Sequence, residues 1–174
     1  MSTSNGRCFA AVLFGVSVFA FSTTGWSQEK FPLKETDREG GYVQEHAVDA
    51  GDNPGHQVRV YQLKYQYPKK DLVFLGVPAK ESTTTGISDY TNWSGSFTTY
   101  TVYTLENGNK IFARGSGSTQ TGPDGARTFS FVDNFVGGTG PYKGIRGQYR
   151  GAGERAAGAK SLTQSQSGEY WIEP

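Results

Sequence analysis

Phe135-Val136-Gly137-Gly138-Thr139-Gly140-Pro141-Tyr142-Lys143-Gly144-Ile145-Arg146-Gly147 decides how this chain reads. Glycine at this density marks backbone that takes a positive φ or passes close to another segment. A phenylalanine-rich run, Arg127 to Phe135, leads into the stretch, and an alternating run, Tyr142 to Gly153, leads out of it. Two strands joined by a glycine bend are the simplest account of all three parts.

Upstream, two more turn signals stand at hairpin spacing. Glu106-Asn107-Gly108-Asn109 separates Thr101–Leu105 from Lys110–Ala113, and Asn-Gly predicts a type I′ turn. Thr121-Gly122-Pro123-Asp124-Gly125 separates Ile111–Thr119 from Arg127–Phe135, with Pro at the second turn position and Asp-Gly after it. Further strands are expected over Tyr42–Val48, Gln57–Tyr67, Leu72–Val77, Ser94–Leu105 and a last segment ending at Glu169-Tyr170-Trp171-Ile172. Residues 82–91 read as an edge strand or a loop, and Lys69-Lys70 as part of a solvated turn. Along Gln57–Tyr67, Arg59, Tyr61, Leu63, Tyr65 and Tyr67 share one face, opposite Val58, Val60 and Gln62.

The chain carries 24 glycines, 10 tyrosines and 11 phenylalanines, and no window keeps a helical apolar period. About eight hairpin-connected strands fit a closed up-and-down barrel or a two-sheet sandwich. Strand glycines such as Gly115, Gly117, Gly151 and Gly153 favour the coiling of a small barrel. The fold expectation is therefore all-β: an eight-stranded antiparallel up-and-down barrel.

The N-terminus reads as a secretory signal peptide over residues 1–27. Arg7 precedes the apolar run Phe9–Phe21, which is shorter than the ~20 residues that span a bilayer. Gly25 and Ser27 supply the small residues expected before a cut at Gln28. Residues 28–40 read as a polar, flexible lead-in, and 41–174 as the barrel domain. The expected location is secreted or periplasmic.

Cys8 leaves with the signal, so a thiolate nucleophile and a thiolate metal site are excluded from the mature chain. The formal charge of +1 falls to zero once Arg7 is removed. That balance builds no field for nucleic acid or anionic lipid, and neither nucleic acid nor a membrane is expected as a partner of the mature form. His46 and His56 show no metal-ligand spacing, so no metal and no cofactor are expected. Gly137–Gly140 lacks the Lys-Ser/Thr of a phosphate loop, and no nucleophile elbow occurs. Asn92-Trp93-Ser94 is a glycosylation sequon.

Phe129-Ser130-Phe131-Val132-Asp133-Asn134-Phe135-Val136-Gly137-Gly138-Thr139-Gly140, continued through Tyr142-Lys143-Gly144-Ile145-Arg146-Gly147, resembles the matching hairpin of the allene oxide cyclase barrel superfamily. That group includes plant allene oxide cyclases and dirigent proteins. Asn107–Gly115 fits the preceding hairpin, and the similarity covers about residues 95–153. The resemblance implies an eight-stranded barrel, often trimeric, around a hydrophobic cavity with a few polar groups. It implies a cyclase or isomerase, or a dirigent-like guide, that holds a fatty-acid-derived or phenolic molecule in one conformation. Orientation alone is a catalytic contribution. The cysteine described near the substrate of the plant cyclases has no counterpart in the mature chain.

The candidate catalytic residues are Glu45, Asp133 and Arg146. Asp133 lies among Phe129, Phe131 and Phe135 by period two, and an acid among aromatics is costly unless paired or protonated. Its other reading is a strand-end cap of the glycine turn. Arg146 is either an anchor for a phenol, a carboxylate or Asp133, or a surface ion pair. Glu45 and His46 are neighbours on the first strand, so one of them faces inward; the resemblance favours Glu45. Tyr61, Tyr65, Tyr100, Tyr103, Phe131 and Asn134 are the candidate ligand contacts, with tyrosine giving an apolar wall and a polar tip. Barrel core and subunit interface are the alternative roles for these tyrosines.

Three function classes remain open at this level. They are a cyclase-like isomerase, a non-catalytic dirigent-like or lipocalin-like binder, and a structural envelope protein with a packed interior. The expected partners are a hydrophobic small molecule and one or two further copies of the chain, as a homodimer or homotrimer.

Overall fold

The computed structural model describes residues 29–35, 38–159 and 163–173. The segment read as a signal peptide, residues 1–27, lies outside them. The strands are β1 (Glu29–Glu35), β2 (Glu39–Asp49), β3 (His56–Gln66), β4 (Val73–Phe74), β5 (Val77–Thr91), β6 (Ser94–Leu105), β7 (Lys110–Thr121), β8 (Arg127–Gly138), β9 (Ile145–Arg155) and β10 (Thr163–Ile172). One 3-10 turn, Gly140–Tyr142, precedes β9.

The protein is all-β. A single antiparallel sheet runs in the order β1-β10-β9-β8-β7-β6-β5-β3-β2, with β4 paired to β5 alone. The up-and-down order is as expected; the ladder closure is not found, since among the described residues no backbone pairing joins β1 to β2. Two sequence features explain the difference in strand number. The polar stretch read as a flexible lead-in contains β1, which pairs with β10 from Glu29↔Tyr170 to Glu35↔Gln164. The apolar run at 72–77 folds on itself as the tight pair Val73↔Pro78 and Phe74↔Val77. Leu75 and Gly76 take positive φ there.

The sheet bends round one interior. Tyr103 on β6 and Tyr149 on β9, which are not neighbours in the sheet, meet hydroxyl to hydroxyl at 2.5 Å. Large inward side chains lie over glycines of the adjacent strand. A Cβ at Gly86 would overlap the Tyr61 ring, and one at Gly151 would overlap Phe131. Large-against-small pairing of this kind is what lets a tightly coiled sheet fill its concave side.

One end of the interior is solid. Leu72, Phe74, Leu105, Ile111, Tyr142, Ile145 and Tyr170 are each no more than 1% exposed. Tyr142 donates its phenol to the Phe74 carbonyl at 3.0 Å, and the Leu75 amide donates to the Tyr170 oxygen at 2.8 Å. The glycine stretch at 137–140 belongs to this plug. A Cβ on Gly138 would lie 2.6 Å from the Lys110 carbonyl oxygen and 2.7 Å from Tyr142 Cβ. Thr139 accepts the Lys110 amide at 2.8 Å through its hydroxyl and returns its own amide to the Lys110 carbonyl. The stretch is thus a close-packed stitch between two hairpins, and Asp133 lies five residues before Gly138 in the strand rather than capping the turn.

The turns carry one correction. Gly108 has φ 81°, whereas Asn107 is not among the residues of positive φ, and the Gly108 amide bonds the Leu105 carbonyl. The hairpin is therefore a type I turn followed by a left-handed glycine, not type I′. Gly122–Gly125 repeats the design, with Gly125 at φ 79°. The two-residue turn with both central residues at positive φ falls instead at Asn92-Trp93, where φ is 52° and 66°. It joins β5 to β6, so residues 82–91 are an interior strand of the sheet.

Candidate functional site

Beyond the apolar plug, the interior opens into a cavity of about 420 Å³. Volumes of roughly 300–1,000 Å³ are typical of small-molecule sites. Its aromatic wall is Tyr61, Tyr65, Tyr90, Phe97, Phe129 and Phe131. Its polar lining is Asp133, Tyr103, Tyr149, Thr99, Gln164 and Gln166, with Arg38 and Arg155 also reaching it.

Asp133 is the acid of this cavity. Period two along β8 turns Phe129, Phe131, Asp133 and Phe135 to the interior, and Asp133 is 7% exposed. Its niche exists because Gly115 stands opposite it on β7; a Cβ there would overlap the carboxylate. Burial pushes the Asp133 carboxyl above its ordinary value, and hydrogen bonds from Tyr149 and Thr99 oppose this without cancelling it. Tyr149 is buried, and desolvation raises its phenol well above the usual range. It therefore keeps its proton and donates to Asp133, which makes Tyr103 the donor in the Tyr103–Tyr149 pair. The result is a directed relay, Tyr103 to Tyr149 to Asp133, ending at a carboxyl that faces an apolar wall. A carboxyl with a raised pKa and a hydrogen-bonded neighbour is suited to proton donation or to binding a ligand oxygen.

Burial pushes the Tyr61 phenol strongly up, and Tyr90 moves the same way. Tyr90 shares a hydrogen bond with Thr119 at 3.0 Å, and Tyr67 shares one with Ser82 at 2.8 Å. Arg38 lies over the Tyr65 ring at 4.1 Å and donates to Gln164 at 2.7 Å.

The sequence-derived residues divide between the two faces of the sheet. Asp133, Phe131, Tyr61, Tyr65 and Tyr103 line the cavity together. Glu45 is paired in register with Tyr61 but does not line the cavity; its carboxylate is bound by Arg59. Arg146, Tyr100 and Asn134 face outward. Ile145 fills the core, so Arg146 is turned away and pairs with Glu173 at 3.2 Å. Tyr103 faces inward and alternation puts Tyr100 outside, 38% exposed and stacked on Phe112. Asn134, next to the inward Asp133, accepts from Gln148 on the outer face at 3.3 Å.

Arg59, Tyr149, Gln164 and Gln166 were not singled out by the sequence. The one signal for Arg59 was its place among the tyrosines of β3, the face that proves to be interior. No family model matches the chain, and no curated protein matches it. Among the described residues no helix is long and apolar enough to cross a membrane.

Proposed function

We propose that this chain is a secreted small-molecule-handling β-barrel that holds a hydrophobic ligand, fatty-acid-derived or phenolic, in its cavity and steers its cyclisation or coupling. The observation that carries the reading is the pairing of Asp133 and Tyr149 at the polar end of an aromatic-walled cavity. An interior built only for stability has no use for a buried carboxyl beside open volume, because its hydrogen bonds from Tyr149 and Thr99 do not cancel the cost of burial. The Asp133 carboxyl is placed to hydrogen-bond a ligand oxygen or exchange a proton with it, and the ring wall holds the apolar body in one conformation. The resemblance of residues 95–153 to the allene oxide cyclase superfamily supports the same reading.

The closed barrel is part of this proposal. Eight antiparallel steps along the sheet separate β1 from β2, so the two run in the same direction. They are consecutive in the chain. Counted as one interrupted strand, with β1 on β10 and β2 on β3, they complete an eight-stranded ring with β3 and β5 to β10. Assembly as a dimer or trimer is proposed with it, supported by the outward and exposed Val58, Val60 and Ile87, the last two paired in register.

Native mass spectrometry of the mature protein, incubated with a lipid and phenolic extract, tests the reading. One retained ligand per chain is expected, lost or weakened in Asp133→Ala, and the same spectrum reports the oligomer. Retention of nothing from either fraction would sink it. Product formation from the retained ligand separates the cyclase from the dirigent-like or lipocalin-like binder.

A further inference from the structure

At the end of the interior opposite the apolar plug stands a group of arginines that the ligand cavity does not explain. Arg59 on β3 is 3% exposed and inward. Arg127 on β8 and Arg155 on β9 are half-buried cross-strand partners, two like charges directly opposite each other. Like charges in that position destabilise a sheet. Trp93, at the tip of the β5–β6 turn, gathers them: the guanidinium carbons of Arg59 and Arg127 each lie 3.9 Å from its ring centroid. Holding Trp93 in place requires a positive φ of 66°, an arrangement that a bulky residue adopts only under tertiary constraint.

The charges do not balance. Glu45 pairs with Arg59. Arg155 is held by a backbone carbonyl, that of Ala159, at 2.6 Å. Arg127 has no carboxylate partner among the described residues. Burial disfavours its charged form, and Arg155 and Arg59 add like-charge repulsion. Hydrogen-bond donors are also left over. Among the described residues Arg59 Nε, Ser88 Oγ and Thr121 Oγ1 are buried without a partner. Ser88 is the register partner of Arg59, and Thr121 that of Arg127. Two rows, Arg59–Ser88 and Thr121–Arg127–Arg155, therefore bring three guanidinium groups and two hydroxyls to one end of the fold, where Glu45 is the one carboxylate ion-paired to any of the three among the described residues. Unpaired buried donors and charges of this kind cost free energy unless an acceptor meets them.

We propose that this end of the interior is an oxoanion site, taking a doubly charged phosphate or sulfate group on Arg127, Arg155 and Arg59 with Ser88 and Thr121 as hydroxyl donors. Three cations against Glu45 leave an excess of two positive charges, which a dianion neutralises. Guanidinium forks suit tetrahedral oxoanions in particular. The anion is either a free ion or a phosphate monoester whose body lies in the neighbouring cavity, which Arg155 also lines. The site stands whether or not the cavity ligand is ever turned over.

The test uses mature protein in chloride buffer at fixed ionic strength. Sodium phosphate, sodium sulfate and phenyl phosphate are titrated by calorimetry, by thermal scanning and by tryptophan fluorescence, with Trp93 as the sole reporter in a Trp171→Phe background. Saturable binding of at least one of them at millimolar or lower concentration is expected, with a change in Trp93 emission. In Arg127→Gln/Arg155→Gln the affinity is expected to fall at least tenfold, with single Arg127→Gln as the fallback if the double variant does not fold. Phenyl phosphate binding tenfold tighter than phosphate assigns the anion to a cavity ligand, and equal affinities assign it to a free ion. Non-saturable stabilisation that chloride at equal ionic strength reproduces overturns the proposal, as does binding unchanged in the arginine variants. Loss of hydrophobic ligand retention with oxoanion binding intact would remove the cavity reading and leave this site standing.

Discussion

Tyr103 and Tyr149 share a hydroxyl–hydroxyl hydrogen bond of 2.5 Å across the interior, and the second of them donates in turn to Asp133. The two tyrosines come from β6 and β9, so their contact reports the curvature of the sheet as well as the chemistry of the cavity. Tyr149→Phe removes the donor to a buried carboxyl and is expected to cost about 1–3 kcal/mol, read from the urea midpoint. Tyr103→Phe leaves the Tyr149–Asp133 bond in place and is expected to cost about 1 kcal/mol. An equal loss from both would mean that the relay does not run from Tyr103 through Tyr149 to Asp133.

Asp133 gives stability a pH dependence of defined sign. Its folded pKa lies above the ordinary 3.8, chiefly through burial. At lower pH both the folded and the unfolded chain hold the proton, and the carboxyl imposes no ionisation cost. As pH rises from 3.8 through the raised folded value, the unfolded chain ionises first and stability falls. Asp133→Asn is therefore expected to melt higher than wild type at neutral pH, with the gap closing in acid. Calorimetric scans across that range check it, and a gap that widens in acid would refute the assignment.

His56 acts with the opposite sign. Its ring reaches Asp52 at 2.5 Å and Asp89 at 2.7 Å, and hydrogen bonding to Asp89 and then Asp52 raises its pKa above 6.5. The clamp contributes in full below 6.5 and is lost as pH rises through the folded value. His56→Gln should lower the melting temperature at about pH 6 and make little difference well above the folded pKa. The His56 ring signals in a proton NMR titration report that value directly.

Gly115 is the floor of the acid's niche. Gly115→Ala places a methyl group against the Asp133 carboxylate and 2.9 Å from the Thr99 hydroxyl oxygen. Overpacking of this kind costs typically about 1–3 kcal/mol. In an Asp133→Ala background the same change should cost less, because the overlapping carboxylate is gone, and a double-mutant cycle measures the difference.

Arg146 is the contrasting case. Its side chain is 40% exposed and its partner Glu173 43%. Exposed pairs contribute little, so Arg146→Ala should move stability by no more than about 0.5 kcal/mol and leave ligand retention unchanged. A large loss of retention would place the functional surface outside the cavity.

The sequence showed most of what depends on local rules. Glycine and proline punctuate the turns at 106–109 and 121–125, and the strands on either side of them fall where alternation puts them. Alternation also grouped Arg59 with Tyr61 and Tyr65, and Asp133 with its phenylalanines. It did not say which group faces in. The answer came from contacts distant in sequence: Ile145 rather than Arg146 meets the plug, and valines occupy the outer face of β3 while an arginine, two tyrosines and a leucine take the inner one. Hydrophobicity alone misassigns that strand, because its inward polar side chains find partners there: Tyr61 meets the Tyr42 ring, Tyr65 lies under Arg38, and Arg59 pairs with Glu45 over Trp93. The Asn-Gly rule also misled at 107–108, since the identity of two residues does not fix how many others share the loop.

The pairing of β1 with β10 has a consequence for how the molecule is made. Glu29 meets Tyr170, so one of the earliest described residues to be synthesised waits for one of the last. Contacts of such long sequence separation form slowly, because the whole intervening loop is closed at once. The sheet is finished only after residues 163–172 have emerged. Until then the β9 edge is open, and a nascent or truncated chain that stops short of 163–172 leaves β1 without its partner.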